Sequence, residues 1–337
     1  MSTPNVSSQG LSRRGVLRAG LAAAVAGIMA PGLGACTAEA RPGLLTVAGG
    51  EPGGFYLEFS TLLAATLERH GVAERAVVEE TGGSLDNLEL LRAGRVDFAV
   101  ALADAAARQA TAPDADPGQV VALGKVYENY VHAVVRKDSG IRSFAELAGR
   151  TVAVGQPGSG TSLITPRLIE AAGLTPASGR SPASLKTITV RNLGLNDGLA
   201  ALRNGSVDAM FWSGGVPTAA IAAAHQELGL ALLDLSDLLP GLRARYGAFY
   251  DRVLIPAGSY VGMPAVLTIG VANLLLCRMD LDERTVRRTV ELLVGHPEEL
   301  IPRSSVGVQF LSQESLINTA GIPLHPAAAD AYRTLHG

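Results

Sequence analysis

Residues 88–100 read LELLRAGRVDFAV, and residues 199–211 read LAALRNGSVDAMF. Six of the thirteen places agree: Leu, Leu, Arg, Gly, Val and Asp. Each stretch predicts the last turn of an amphipathic helix, a Gly able to take the left-handed C-cap, and then a strand. A second echo precedes each copy. Gly50-Glu51-Pro52-Gly53 and Gly155-Gln156-Pro157-Gly158 each follow an apolar run (LLTVAG, RTVAVG) and each precede a helical pattern. Strand, Gly-Pro-Gly loop and helix, then helix, Gly and strand, thus occur twice in the same order. The simplest fold with that order is a pair of α/β lobes of one build, with a small-molecule cleft between them.

The remaining periodicity fills in the lobes. Strands are expected at 44–48, 76–80, 96–102, 151–154, 187–190 and 207–211, and helices at 56–69, 84–92, from about 162, and at 196–203. Residues 130–136 read as a crossover strand between lobes and 266–276 as a long strand. Further helices are expected at 217–227, 282–295 and 327–335, with loops at 111–119 and 178–184. Lobe 1 is placed at 44–132 plus 255–337, and lobe 2 at 133–254.

The N-terminus reads as targeting rather than fold. Ser12-Arg13-Arg14-Gly15-Val16-Leu17-Arg18 looks like a twin-arginine signal, and the apolar stretch after it, 21–30, is too short to span a bilayer. Leu33-Gly34-Ala35-Cys36 resembles a lipobox: small residues admit a peptidase, and the Cys36 thiol takes the lipid. Residues 1–35 are therefore expected to be a lipoprotein signal peptide and 36–43 a tether. Cleavage removes Arg13, Arg14 and Arg18 and no acid, so an acidic chain of 28 basic and 31 acidic residues becomes more acidic. With no basic stripe, no nucleic-acid partner is expected. The other cysteine, Cys277, lies in an apolar run and reads as a buried, inert thiol.

Two loops carry candidate chemistry. In Gly155-Gln156-Pro157-Gly158-Ser159-Gly160-Thr161-Ser162 the glycines let backbone N–H groups approach a ligand, and the helix that follows favours negative charge at its start. Ser159 and Thr161 add hydroxyls beside Gly160. The pattern suits a carboxylate or phosphate and is not a P-loop, since no Gly-Lys-Ser/Thr follows. The second loop is Thr81 to Asn87, where Gly83 and Ser84 open a helix and Asn87 sits in its first turn. Gly53-Gly54-Phe55-Tyr56 puts an aromatic pair at the mouth of the first Gly-Pro-Gly loop. The six His residues show no metal spacing, no Gly-x-Ser-x-Gly elbow occurs, and Asp97 and Asp208 read as turn residues. Catalysis and cofactors are therefore not expected.

Together GGEPGGFYLEFS (49–60), ETGGSLDNLELLRAGRVDFAVALAD (80–104), VGQPGSGTS (154–162), LRNGSVDAMFWSGGVPTAAI (202–221), IPAGSY (255–260) and GIPLHPAAADAY (321–332) resemble the TAXI branch of TRAP-transporter solute receptors. The resemblance runs from about residue 44 to the end. It implies a type II periplasmic-binding fold, α/β in class, that closes on small acidic ligands such as glutamate or 2-oxo dicarboxylates. It also implies ligand contacts at Tyr56, Asn87, Ser159, Thr161 and the segment that includes Trp212, Gly215 and Val216. Trp212 stands where smaller residues are usual. The expected protein is a monomeric lipoprotein, anchored outside the cell membrane, that passes an anionic solute to a TRAP-type permease. A ligand-presenting sensor for a receptor kinase and an enzyme on the same fold are the competing classes.

Overall fold

A computed structural model of the chain describes residues 41–112, 119–177, 186–302 and 311–336. The signal segment, Cys36 and most of the expected tether lie outside them, as do the insertion at 178–184 and most of the loop at 111–119.

The repeated sequence code is a repeated structure. In the first half β1 (Leu45–Ala48), α1 (Phe55–Arg69), β2 (Ala76–Glu79), α2 (Ser84–Arg92), β3 (Phe98–Leu102) and α3 (Ala103–Ala110) follow in order. Then comes β4, a 17-residue strand from Val120 to Arg136. The second half repeats the plan with β5 (Thr151–Ala153), α4 (Gly160–Ala171), β6 (Thr175–Ala177), β7 (Thr187–Arg191), α5 (Leu195–Arg203) and β8 (Ala209–Gly214). It continues through α6 (Ala219–Leu228), β9 (Leu230–Leu232), α7 (Leu239–Tyr246) and β10 (Tyr250–Ile255). The long β11 (Val266–Arg278) returns, and α8 (Glu283–Gly295), α9 (Gln313–Leu316) and α10 (Pro326–His336) follow.

One sheet in the order β2-β1-β3-β11-β4-β8-β5-β7-β6 holds both halves. β1 runs parallel to β2 and β3, and β5 parallel to β7 and β8. The two units therefore face each other across an antiparallel pair, β11 and β4. β4 pairs with β11 up to Tyr130 and with β8 from Tyr130 to Val135. β11 pairs with β10 up to Val271 and with β3 from Asn273 onward. The crossover strand is longer than the 130–136 segment expected, because Lys125, Glu128 and Asn129 interrupt its apolar pattern. Lys125 and Glu128 answer each other in an ion pair of 2.6 Å.

The matching helix ends close in the same way. Gly94 and Gly205 both take positive φ, +67° and +71°, as a left-handed cap requires. Asp97 and Asp208 are more than turn residues. Each exchanges backbone and carboxylate hydrogen bonds with the first strand of its own half: Asp97 with Thr46, Asp208 with Thr151. Packing follows the helical period: Phe59, Leu63 and Leu67 of α1 are fully buried, one stripe at i, i+4 and i+8. Burying each is worth about 1.5–3 kcal/mol over exposure. Cys277 is a free buried thiol whose pKa burial pushes up.

Candidate functional site

Three helix starts converge on one narrow pocket between the halves. Its free cavity volume is about 20 Å³, and it is lined by Gly50, Glu51, Gly54, Phe55 and Tyr56 at the start of α1, and by Gly82, Gly83 and Ser84 at the start of α2. Asn129 of β4, Ser159, Gly160 and Thr161 at the start of α4, and Trp212, Ser213 and Gly214 of β8 complete it. This follows from the fold: helices after parallel strands begin at the strands' C-terminal ends, and both halves present those ends to the shared pair. The first N–H groups of a helix lack intrahelical partners. Those of Tyr56, Ser84, Gly160 and Thr161 hold no partner among the described residues. Among the described residues no Lys, Arg or His lines the pocket, and Glu51 is its one carboxylic acid.

Polar side chains tie the walls together. Tyr56 Oη donates to Asn273 Oδ1 and lies 3.0 Å from Ser84 Oγ, which also accepts from Leu102 N at 3.2 Å. Burial pushes the Tyr56 pKa up, so the phenol stays protonated. Ser159 is the N-cap of α4: its Oγ accepts from Ser162 N at 3.0 Å and donates to Gln156 O at 2.7 Å. Thr161 Oγ1 accepts from Ser213 N at 3.0 Å, and its own hydrogen has no acceptor among the described residues. Trp212 packs its ring on the pocket and donates Nε1–H to Thr218 Oγ1 at 3.0 Å. Asn129 is buried; its amide nitrogen reaches Ser213 Oγ at 3.3 Å and its oxygen has no partner among the described residues.

The halves also cap each other. Gly158 O accepts from Leu85 N at 2.8 Å and Asp86 N at 3.1 Å, so the second half closes the start of α2. In return Glu51 Oε2 accepts from Leu195 N at 2.7 Å and closes the start of α5, and Asn196 donates to Pro52 O at 3.0 Å. Burial raises the Glu51 pKa, and the Leu195 N–H draws it partly back. Gly158 has φ +87°, and a Cβ there would lie 1.9 Å from Asp86 Oδ1. A side chain there would force the Asp86 carboxylate to turn away and would be strained by the left-handed φ. Behind the pocket a third tie joins the halves: Asp104 Oδ2 meets Arg167 Nη1 at 2.7 Å and Tyr250 Oη at 2.8 Å.

Of the sequence-derived candidates, Tyr56, Gly83, Ser84, Ser159, Gly160, Thr161 and Trp212 lie on the lining. Asn87 does not. It is fully buried and its amide donates to Gly49 O at 2.7 Å and Val100 O at 2.8 Å, joining loop to strand. Gly215 and Val216 lie off the lining; Gly215 makes room for the Phe55 ring, which a Cβ would meet at 2.3 Å. Glu51, Asn129 and Asn273 escape the sequence reading. Glu51 sits in the quoted loop and was legible as its one acid, whereas the two Asn residues look like breaks in strands.

The family model described as NMT1-like matches residues 47–334. The chain belongs to the NMT1-like family. Among solved structures, one titled as a periplasmic transporter aligns at 14% identity and TM-score 0.51, over 87% of this chain and 92% of that one. A Xanthomonas citri protein bound to ATP aligns at 14% identity and TM-score 0.50, over 87% and 95% of the two chains. The Escherichia coli periplasmic aliphatic sulphonate-binding protein aligns at 18% identity and TM-score 0.44, over 87% and 79%. The NMT1-like chain shares the mixed α/β fold of the first two of these structures. Among its described residues no helix is long and apolar enough to cross a membrane.

Proposed function

We propose that this chain is an extracytoplasmic solute receptor that captures a small organic anion, a glutamate-like amino acid or a dicarboxylate, for a TRAP-type permease. One observation carries the reading: three helix starts with partnerless N–H groups line one narrow pocket that has no cationic side chain among the described residues. Such a pocket holds a carboxylate by backbone dipoles, each charge-assisted hydrogen bond being worth about 1.5–3 kcal/mol. Between the two solutes the amino acid fits better. Glu51 and the Asn129 oxygen are acceptors that an ammonium group satisfies and a second carboxylate does not. The lobes are those at 44–132 plus 255–337 and at 133–254, and closure between them traps the solute. Membership of the TAXI branch, the twin-arginine signal and the lipid at Cys36 complete the proposal: a monomer tethered to the outer face of the cell membrane that binds rather than converts its solute.

Calorimetry on the mature protein with L-glutamate, 2-oxoglutarate and a neutral sugar tests the reading. Saturable binding of the first is expected, with weaker binding of the second and none of the third. Sugar binding, or turnover of any of them, defeats it. Cys36→Ser is expected to release the protein from the membrane fraction, and retention there defeats the anchor.

A further inference from the structure

Far from the pocket, the last turn of α1 meets the turn after α8. His70 follows α1, His296 follows α8, and Glu299 lies in the 3₁₀ turn Pro297–Leu300. His70 Nε2 stands 3.0 Å and His296 Nδ1 3.6 Å from the same atom, Glu299 Oε1. The two imidazole rings lie 4.0 Å apart, inclined by 35°. Arg69 pairs with the other carboxylate oxygen, Oε2. Arg288 donates to the carbonyls of His70 and Gly71 at 2.8 and 2.7 Å and so fixes the backbone that carries the first imidazole. All three side chains are part-buried, with an open face to solvent.

We propose that His70, His296 and Glu299 form a binding site for zinc or a closely similar divalent transition metal. Two imidazoles and a carboxylate are a common zinc donor set, and tetrahedral bonds of about 2.0–2.2 Å place ligand atoms about 3.3 Å apart. The two nitrogen–oxygen separations bracket that value. All three donor atoms lie within 4.8 Å of one another, so a modest turn of the His296 ring completes the triangle. Arg69 holds the carboxylate with Oε1 toward the imidazoles, the kind of outer contact that orients a metal ligand. The same guanidinium opposes a second cation. Affinity is therefore expected in the micromolar range, below that of closed four-ligand sites. The fourth position is left to water. A hard cation such as magnesium, which favours oxygen ligands, is not expected to bind. The metal would pin the far end of α1, whose near end carries Phe55 and Tyr56 at the pocket.

The full-length mature protein, stripped with chelator, is titrated with zinc chloride by calorimetry and melted with and without the metal. One zinc per chain and a melting point raised by a few degrees are expected, with no response to magnesium. His296→Ala is expected to weaken zinc binding at least tenfold while leaving L-glutamate binding unchanged. Crystals of the unaltered protein grown with zinc should show an anomalous peak between the three side chains, a result that does not depend on how the variant folds. Absence of saturable one-to-one binding, equal affinity in His296→Ala, or an anomalous peak elsewhere overturns the site.

Discussion

The two halves of the sheet share a plan and differ in how they close each other's helices. The second half caps α2 with the carbonyl of Gly158, a group without charge or proton to lose. The first half caps α5 with the carboxylate of Glu51, which is buried and titratable. Gln156 occupies the place in the second loop that Glu51 holds in the first. A duplicated backbone thus carries an unduplicated acid, and the difference puts one pH-sensitive contact on one side of a near-symmetrical pocket. Symmetry of fold comes from backbone hydrogen bonding, which both loops keep; the asymmetry comes from one side chain.

The largest effect is expected where the halves are tied by buried charge. Arg167→Ala leaves Asp104 in a buried site without its cation, and breaking such a pair by removing one partner costs about 3–5 kcal/mol. Chemical denaturation measures it. A loss below about 1 kcal/mol would mean that the halves do not depend on this tie. Next is Gly158→Val, whose side chain collides with Asp86. Solute affinity is expected to fall at least a hundredfold, about 2.7 kcal/mol, and scattering should show a larger radius of gyration in the presence of solute than for the unaltered protein. Unchanged binding would show that the Gly158 cap plays no part in closure.

Thr161→Val sharpens the comparison within the pocket. Ser159 spends its hydroxyl on capping α4, whereas Thr161 keeps a hydrogen to give. Calorimetry should therefore find a roughly tenfold loss in Thr161→Val. Ser159→Ala should chiefly cost fold stability, about 1 kcal/mol as for other N-caps. The reverse order would place the solute nearer Ser159.

The smallest effect is the pH dependence of Glu51. Its folded pKa is raised above the ordinary 4.5, so between that value and the raised one the folded state binds more protons than the unfolded. Stability contributed by this group is then present at lower pH and declines as pH rises through the window. Glu51→Gln should flatten that slope in denaturation curves taken from about pH 4 to 8. An unchanged slope would assign it to other groups. His132 cannot supply that slope: it is buried with its pKa lowered to about 4, so it acts in the opposite sense.

Much of the fold was legible in contiguous residues. The helix-Gly-x-Val-Asp code places α2 with β3 and α5 with β8, because a C-cap and the strand after it are chosen within a few residues of chain. The Gly-Pro-Gly loops likewise announced two helix starts at one pocket. Less was legible where a residue's role depends on its neighbours in space. Asn87 looks like a pocket residue and instead joins a loop to a strand, because its amide donates to the carbonyls of Gly49 and Val100. Asn129 looks like a flaw in a strand and instead faces the pocket, since β4 changes partner at Tyr130 just beside it.

By itself, then, the sequence determined that there are two α/β units, where each begins its helices, and that glycines at those starts bare the backbone to a ligand. These features rest on local propensity and on hydrogen bonds closed within a turn or two. Tertiary structure alone decided that Glu51 caps a helix 144 residues away, that Asp104 finds Arg167 and Tyr250, and that His70 meets Glu299 across 229 residues. Such partners are brought together by the pairing of β4 with β11 and the packing of α1 on the C-terminal helices. No periodicity in the chain encodes contacts at that range, because they exist only once the apolar faces have been buried together.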